Sequence, residues 1–164
     1  MINNLFQKLI NEGYNFFTGV PDSALKAFQN DIIESDFEHV IATNEGQAVG
    51  IAFGAEIAGK KSCVYLQNSG LGNCINPLTS LTDSKVYSIP MVLLIGWRGA
   101  LGSKDEPQHF RQGKILEDQL KILEIKYLIL ENRDKINSKL TKLIKYSVKK
   151  NVPVAILVKK ETFK

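Results

Sequence analysis

Short apolar runs alternate with helical periods along the whole of this chain, and that alternation leaves few folds open. Six runs read as strands: 14–17, 39–43, 62–66, 90–95, 127–130 and 154–158. Between them lie stretches with apolar residues at helical spacing. Leu5, Leu9 and Ile10 make one short face, and helices are expected over 24–34, over 45–58, from about 74, and over 114–123. A last helix carries Ile136, Leu140, Leu143, Ile144 and Val148 on one face, with Lys135, Lys139, Lys142 and Lys149 largely outside it. The segments 90–95 and 154–158 are apolar without interruption, as strands covered on both faces are. Strand–helix alternation of this kind predicts a single α/β domain over 1–164, a doubly wound six-stranded parallel sheet with helices on both faces.

Composition narrows the function classes. The 164 residues are 44% hydrophobic and 23% charged, enough for a proper core and too ordinary for a disordered chain. Residues 1–110 carry 7 basic and 11 acidic side chains, whereas 111–164 carry 14 and 6. That late positive charge decorates one helix without a reading motif, so a nucleic-acid partner is not expected. Cys63 and Cys74 lie 11 apart, which is neither a metal spacing nor a secreted framework. His39 and His109 do not complete a metal site with them. The opening Met1-Ile2-Asn3-Asn4 leads into a helical pattern, not a signal peptide, and no apolar stretch approaches a membrane span. A cytoplasmic protein with no membrane partner is therefore expected.

In a parallel sheet ligands sit at the carboxyl ends of strands, which directs attention to the segments 18–23, 44–46, 67–73 and 96–113. Gly19-Val20-Pro21-Asp22-Ser23 is loop chemistry, with Ser23 as a candidate helix cap. Asn44 is a good N-cap, and Glu45 opens a helix rich in Gly and Ala that Gly59 ends. Interior glycines weaken a helix by about 1 kcal/mol each relative to Ala, so their number suggests close approach of another backbone. From spacing alone Glu45, after an expected buried strand, is a helix-start carboxylate favoured by the dipole. Gly54-Ala-Glu-Ile-Ala-Gly59-Lys60-Lys61 nearly spells a phosphate loop, but it lacks the hydroxyl residue and ends a helix where the motif begins one. Without a metal cluster or an activated nucleophile, difficult chemistry would need an organic cofactor.

Three blocks together, Gly19-Val20-Pro21-Asp22-Ser23, Asn44-Glu45-Gly46-Gln47-Ala48-Val49-Gly50 and Gln67-Asn68-Ser69-Gly70-Leu71-Gly72-Asn73, resemble the pyrimidine-binding domain of thiamine-diphosphate-dependent 2-keto-acid decarboxylases. Asn76-Pro-Leu-Thr-Ser-Leu-Thr-Asp83, Ile95-Gly-Trp-Arg-Gly99 and Asp105-Glu-Pro-Gln-His109 are similar, more narrowly, to the phosphonopyruvate decarboxylases. Sulfopyruvate decarboxylases share the earlier blocks. The likeness runs from about Phe16 to Gly113, with its motifs in order.

The resemblance implies roles residue by residue. A glutamate at the position of Glu45 hydrogen-bonds N1′ of the aminopyrimidine and promotes the imino tautomer that deprotonates the thiazolium carbon, a task helped by an apolar surround that raises its pKa. Val20 and Pro21 line the pyrimidine pocket. Asp22 matches, within one residue, an acidic position that assists protonation of the enamine in the similar pyruvate decarboxylases, and His109 ends a loop that holds a histidine there too, so both are expected to be catalytic. Asn68, Ser69, Arg98 and Gln108 are the candidates for holding the keto acid, with Arg98 as the grip on a phosphonate. The implied cofactors are thiamine diphosphate and Mg2+. No residue of this chain is assigned to the metal, because the family's diphosphate- and Mg2+-binding domain has no counterpart here. The implied partner is that domain or a beta subunit, in a homo- or hetero-oligomer. The expected reaction is decarboxylation of phosphonopyruvate to phosphonoacetaldehyde. Alternatives are a sulfopyruvate decarboxylase alpha subunit and a non-catalytic anion-binding α/β module.

Overall fold

The computed structural model describes residues 3–130 and 136–159. Six strands, β1 (Phe16–Gly19), β2 (Glu38–Ile41), β3 (Ser62–Gln67), β4 (Met91–Trp97), β5 (Lys126–Leu130) and β6 (Pro153–Lys159), form one sheet in the order β2-β1-β3-β4-β6-β5. Every pairing is parallel. The helices are α1 (Asn3–Asn11), α2 (Lys26–Ile33), α3 (Glu45–Ile57), α4 (Leu71–Pro77), α5 (Pro107–Ile122) and α6 (Ile136–Lys150). The expected doubly wound architecture is therefore the observed one.

Period-two alternation sends neighbouring residues of each central strand into different cores. Met91, Leu93, Ile95 and Trp97 of β4 pack with Ala48 and Ala52 of α3, Cys74 of α4, and Leu116 and Leu120 of α5. Val92 and Leu94 pack instead with Leu5 and Leu9 of α1, Phe28 and Ile32 of α2, and Leu140 and Ile144 of α6. On that second side Phe6, Phe17, Phe28 and Phe37 form tilted and edge-on ring contacts.

Several expected boundaries and environments are corrected. Strand β1 begins at Phe16, so Tyr14 is buried just ahead of it and Gly19, expected in a loop, is its last paired residue. The strand before Glu45 is not buried: β2 is an edge strand, with Val40 and Ile41 exposed. The cap after β1 is Asp22, whose carboxylate accepts from Ala24 N, and Ser23 instead starts a 3-10 turn over Ser23–Leu25. Helix α4 starts at Leu71, not near 74, and runs into a π-type turn over Leu78–Thr82. Helix α5 starts at Pro107, seven residues before the expected 114, because a proline suits the first helical position. On α6, Leu140 and Ile144 are buried and Leu143 packs beside them, but Val148 is exposed and Ser147 takes the buried place. Lys135 lies outside the described residues.

Candidate active site at the carboxyl edge of the sheet

The spatial order β2-β1-β3-β4 lines up the segments after four adjacent strands. From β1 the chain leaves toward β2 by way of α2, and from β3 it leaves toward β4 by way of α4 on the opposite face. The direction of winding thus reverses between β1 and β3, and a crevice for ligands opens at such a switch point. Glu45, the Val20–Pro21–Asp22 run, Asn68–Ser69 and Arg98 all sit on this edge.

Glu45 is placed by its neighbour. Asn44 has extended backbone angles and its side chain accepts from Gln47 N at 2.9 Å, which starts α3 with Glu45 in its first turn. Asn73 Nδ2 donates to Glu45 Oε2 at 2.8 Å. A methyl on Gly70 would overlap the Glu45 carboxyl, and one on Gly46 would press on the Asn73 carbonyl. The expected backbone approach to the glycine-rich helix therefore occurs at its first turn, against α4. Further along α3, Gly50 and Gly54 face open space. The half-buried Glu45 has a backbone glycine on one side and an amide on the other, not the apolar surround expected for it on this chain.

A second group lies across the switch point. The Asp22 side chain is buried, and a methyl on Gly96 of β4 would overlap its Oδ2. Burial raises the Asp22 pKa above its ordinary 3.8, against the pull of the Ala24 and Ser23 amides and of the nearby Arg98 and His109. Arg98 itself is held in a fork by Asp105, with Nε to Oδ2 at 2.8 Å and Nη2 to Oδ1 at 2.6 Å. Its Nη1 donates to Ser23 Oγ at 3.1 Å, tying the segment after β4 to the one after β1. Asp105 is only 1% exposed at its side chain and also accepts from Gly99 N, and the Arg98 guanidinium holds its carboxyl well below the usual range.

Asn68 is fully buried and mimics a strand partner for Arg98: its Oδ1 accepts from Arg98 N and its Nδ2 donates to Arg98 O, both at 3.0 Å. Its amide is thus engaged with backbone. Ser69 is exposed and its hydroxyl accepts from Gln67 Nε2 at 2.7 Å. His109 and Gln108 stand on the first turn of α5, not in the polar loop expected for them. Methyls on Gly99 and Gly113 would overlap the His109 carbonyl and the Gly99 carbonyl, so α5 lies backbone against backbone on the turn after β4. Val20 donates its N–H to the Tyr65 carbonyl at 3.1 Å, and Pro21 is exposed.

Asn73, Gly70, Gly96 and Asp105 complete the arrangement and were not singled out from the sequence. Asp105 had a signal, an acid a few residues from the arginine that directly follows the most apolar strand. The others act through contacts between distant segments. Among the described residues no cluster of His, Cys, Asp and Glu could hold a metal ion, and no helix is long and apolar enough to cross a membrane. A cavity of about 260 Å³, lined by Thr82, Asp83, Leu123, Glu124 and Pro153 among others, opens at the opposite, amino edge of the sheet.

Residues 2–122 match the family model described as thiamine pyrophosphate enzyme, N-terminal TPP binding domain. The chain belongs to this family. It is similar to the sulfopyruvate decarboxylase subunit alpha of Methanococcus maripaludis, 33% identical over 155 residues, or 94% of this chain and 91% of that one. It is also similar to the phosphonopyruvate decarboxylase of Streptomyces viridochromogenes, 38% identical over 137 residues, which make up 82% of this chain but 34% of that protein. The TPP-binding domain described here thus spans nearly all of the one relative and about a third of the other. Among solved structures, benzoylformate decarboxylase from Polynucleobacter necessarius superposes with a TM-score of 0.73 at 18% identity, over 99% of this chain and 30% of that one. The enzyme class of the family branch is that of the thiamine-diphosphate-dependent decarboxylases, which are carbon–carbon lyases.

Proposed function

We propose that this TPP-binding domain is the pyrimidine-binding half of a decarboxylase that converts phosphonopyruvate to phosphonoacetaldehyde and CO2. It works with a diphosphate-binding domain or beta subunit that holds Mg2+. The observation that carries this reading is Glu45, set by its Asn44 cap at the winding reversal with its carboxyl against a bare Gly70 and one oxygen fixed by Asn73.

These residues fit the cofactor. Glu45 would supply the carboxyl that an aminopyrimidine N1′ needs, and Val20 and Pro21 would add apolar surface on the same edge of the sheet; the rest of an apolar surround would come from the partner. When bound, thiamine diphosphate supplies a carbon nucleophile and an electron sink for the departing carboxyl group. The chain's own residues do the rest. Asn73 holds Glu45 Oε2, leaving Oε1 to share a proton with the pyrimidine. Asp22, whose carboxyl binds a proton more readily than an exposed one because it is buried, would be the group that supplies a proton at the switch point. Arg98, fixed between Asp105 and Ser23, presents its guanidinium at the edge where a keto-acid anion would arrive.

The 38% identity with a phosphonopyruvate decarboxylase and the motifs at 76–83, 95–99 and 105–109 support this substrate. Sulfopyruvate is the second reading, supported by identity maintained across 91% of an alpha subunit. Measuring CO2 release by the chain together with its native partner, given thiamine diphosphate and Mg2+, separates the two. A preference for phosphonopyruvate over sulfopyruvate and pyruvate is expected. Glu45→Ala is expected to abolish turnover while assembly persists. Full activity of Glu45→Ala would instead favour a non-catalytic binding module.

A further inference from the structure

Strand β2, which leads into Asn44 and Glu45, is short, lies on the sheet edge and pairs only with β1. It has nonetheless a side-chain link to the sheet interior. Tyr65, in the middle of the sheet on β3, is buried, and its hydroxyl lies 2.7 Å from His39 Nε2 on β2. The two residues are separated by the whole width of β1. What lies between them there is Gly19, paired with Tyr65 on one side and Ile41 on the other. A methyl on Gly19 would come within 2.7 Å of the Tyr65 ring. The missing side chain is what lets the ring pass over β1, and the two rings end 5.7 Å apart at 50°.

The backbone follows the same route. Beyond the ladder, Val20 N–H donates to Tyr65 O at 3.1 Å and Ala42 N–H donates to Gly19 O at 2.9 Å. The next residues in the two segments are Pro21 and the Thr43–Asn44–Glu45 run. Burial pushes the Tyr65 phenol up to about 12 and pushes His39 down, so the bond joins two neutral groups near neutral pH.

We propose that Tyr65 and His39 are positioning residues: their bridge across Gly19 anchors the edge strand and so fixes where Glu45 is presented. This rests on the cofactor role of Glu45 proposed above. The bridge makes no contact with Glu45 and acts only by holding the strand that carries it, since small displacements of a reacting group cost rate steeply.

The test uses the full chain in complex with its native partner, comparing Tyr65→Phe, His39→Ala and His39→Gln. Amide hydrogen exchange is read over 42–48 and, as a control, over 91–97. Tyr65→Phe keeps the buried ring and removes only the bond. It and His39→Ala are expected to speed exchange over 42–48 by about tenfold, with 91–97 unchanged. They are expected to lower kcat by about tenfold with little change in KM for the keto acid. His39→Gln, which keeps a hydrogen-bonding group, should recover most of both losses. Unaltered exchange over 42–48 in Tyr65→Phe, or acceleration spread equally over the sheet, would overturn the proposal. Glu45→Gln distinguishes the two readings. If it keeps turnover while the exchange pattern is as expected, the cofactor role of Glu45 fails and the anchoring of β2 stands.

Discussion

Asp22 shows what a buried carboxyl does to a fold that keeps it. Its pKa lies above the ordinary 3.8 because burial outweighs the pull of two amides, of the Arg98 guanidinium and of His109. The native state therefore binds more protons than the unfolded one just above pH 3.8, and this residue's contribution to stability falls as pH rises through that window. Asp22→Asn removes the titration and keeps an oxygen to cap Ala24. Chemical denaturation should find it at least as stable as the parent at pH 7, and flatter with pH from 4 upward. Turnover by the complex should nevertheless fall by about 100-fold or more, the scale of a lost proton donor. Asn44 and Glu45 were legible in the sequence because a cap acts over three residues. Asn68, Asn73 and Asp105 were not assigned their roles, because each works on a residue from another segment: the Arg98 backbone, the Glu45 carboxyl and the Arg98 fork.

At the scale of elements, four helices end in the same way. After α1, α3, α5 and α6 the chain turns through a left-handed residue, Gly13, Gly59, Glu124 and Asn151 in turn. The residue after each donates its N–H five positions back: Tyr14 to Leu9, Lys60 to Ala55, Ile125 to Leu120 and Val152 to Ser147. Gly59 announced its helix end in the sequence; Glu124 could not, since a glutamate gives no such signal. A β-carbon in this conformation costs about 1–2 kcal/mol, less for Asn. Glu124→Gly should therefore stabilise the fold by up to about 1 kcal/mol after the added chain entropy and so raise the melting temperature, and Asn151→Gly should change it less. Thermal denaturation checks both. The start of α5 was missed for the opposite reason. Pro107 marked it, but the first turn carries Gln108, exposed Phe110 and Arg111, so no apolar period revealed a helix there.

For the molecule as a whole, the sheet is a partition between two cores. Alternation of strand and helix was enough to foresee that layering, because unbroken apolar runs such as 90–95 need cover on both sides. What it could not foresee was which strand lay at the edge. The apolar Val40 and Ile41 look as buried as their counterparts on β4, and only the pairing order exposes them. Leu93→Ala and Leu94→Ala empty opposite cores, and each should cost about 2–5 kcal/mol in equilibrium unfolding. Val40→Ala, on the exposed edge, should cost about 0.5 kcal/mol or less.

The partition also provides each core with its own native chemical reporter. Cys63 lies wholly buried in the core beneath α1, α2 and α6, and Cys74 lies wholly buried in the one beneath α3, α4 and α5. Burial suppresses both thiolates, with Cys74 pushed up to about 12, so a thiol reagent reaches each sulfur only when its own layer opens. Labelling kinetics resolved for the two cysteines would show whether the layers come apart together or one before the other. The layer holding Cys74 includes α3 and α4, which carry Glu45 and Asn73. Slower labelling there when the cofactor and partner bind would turn an unmodified side chain into a gauge of assembly.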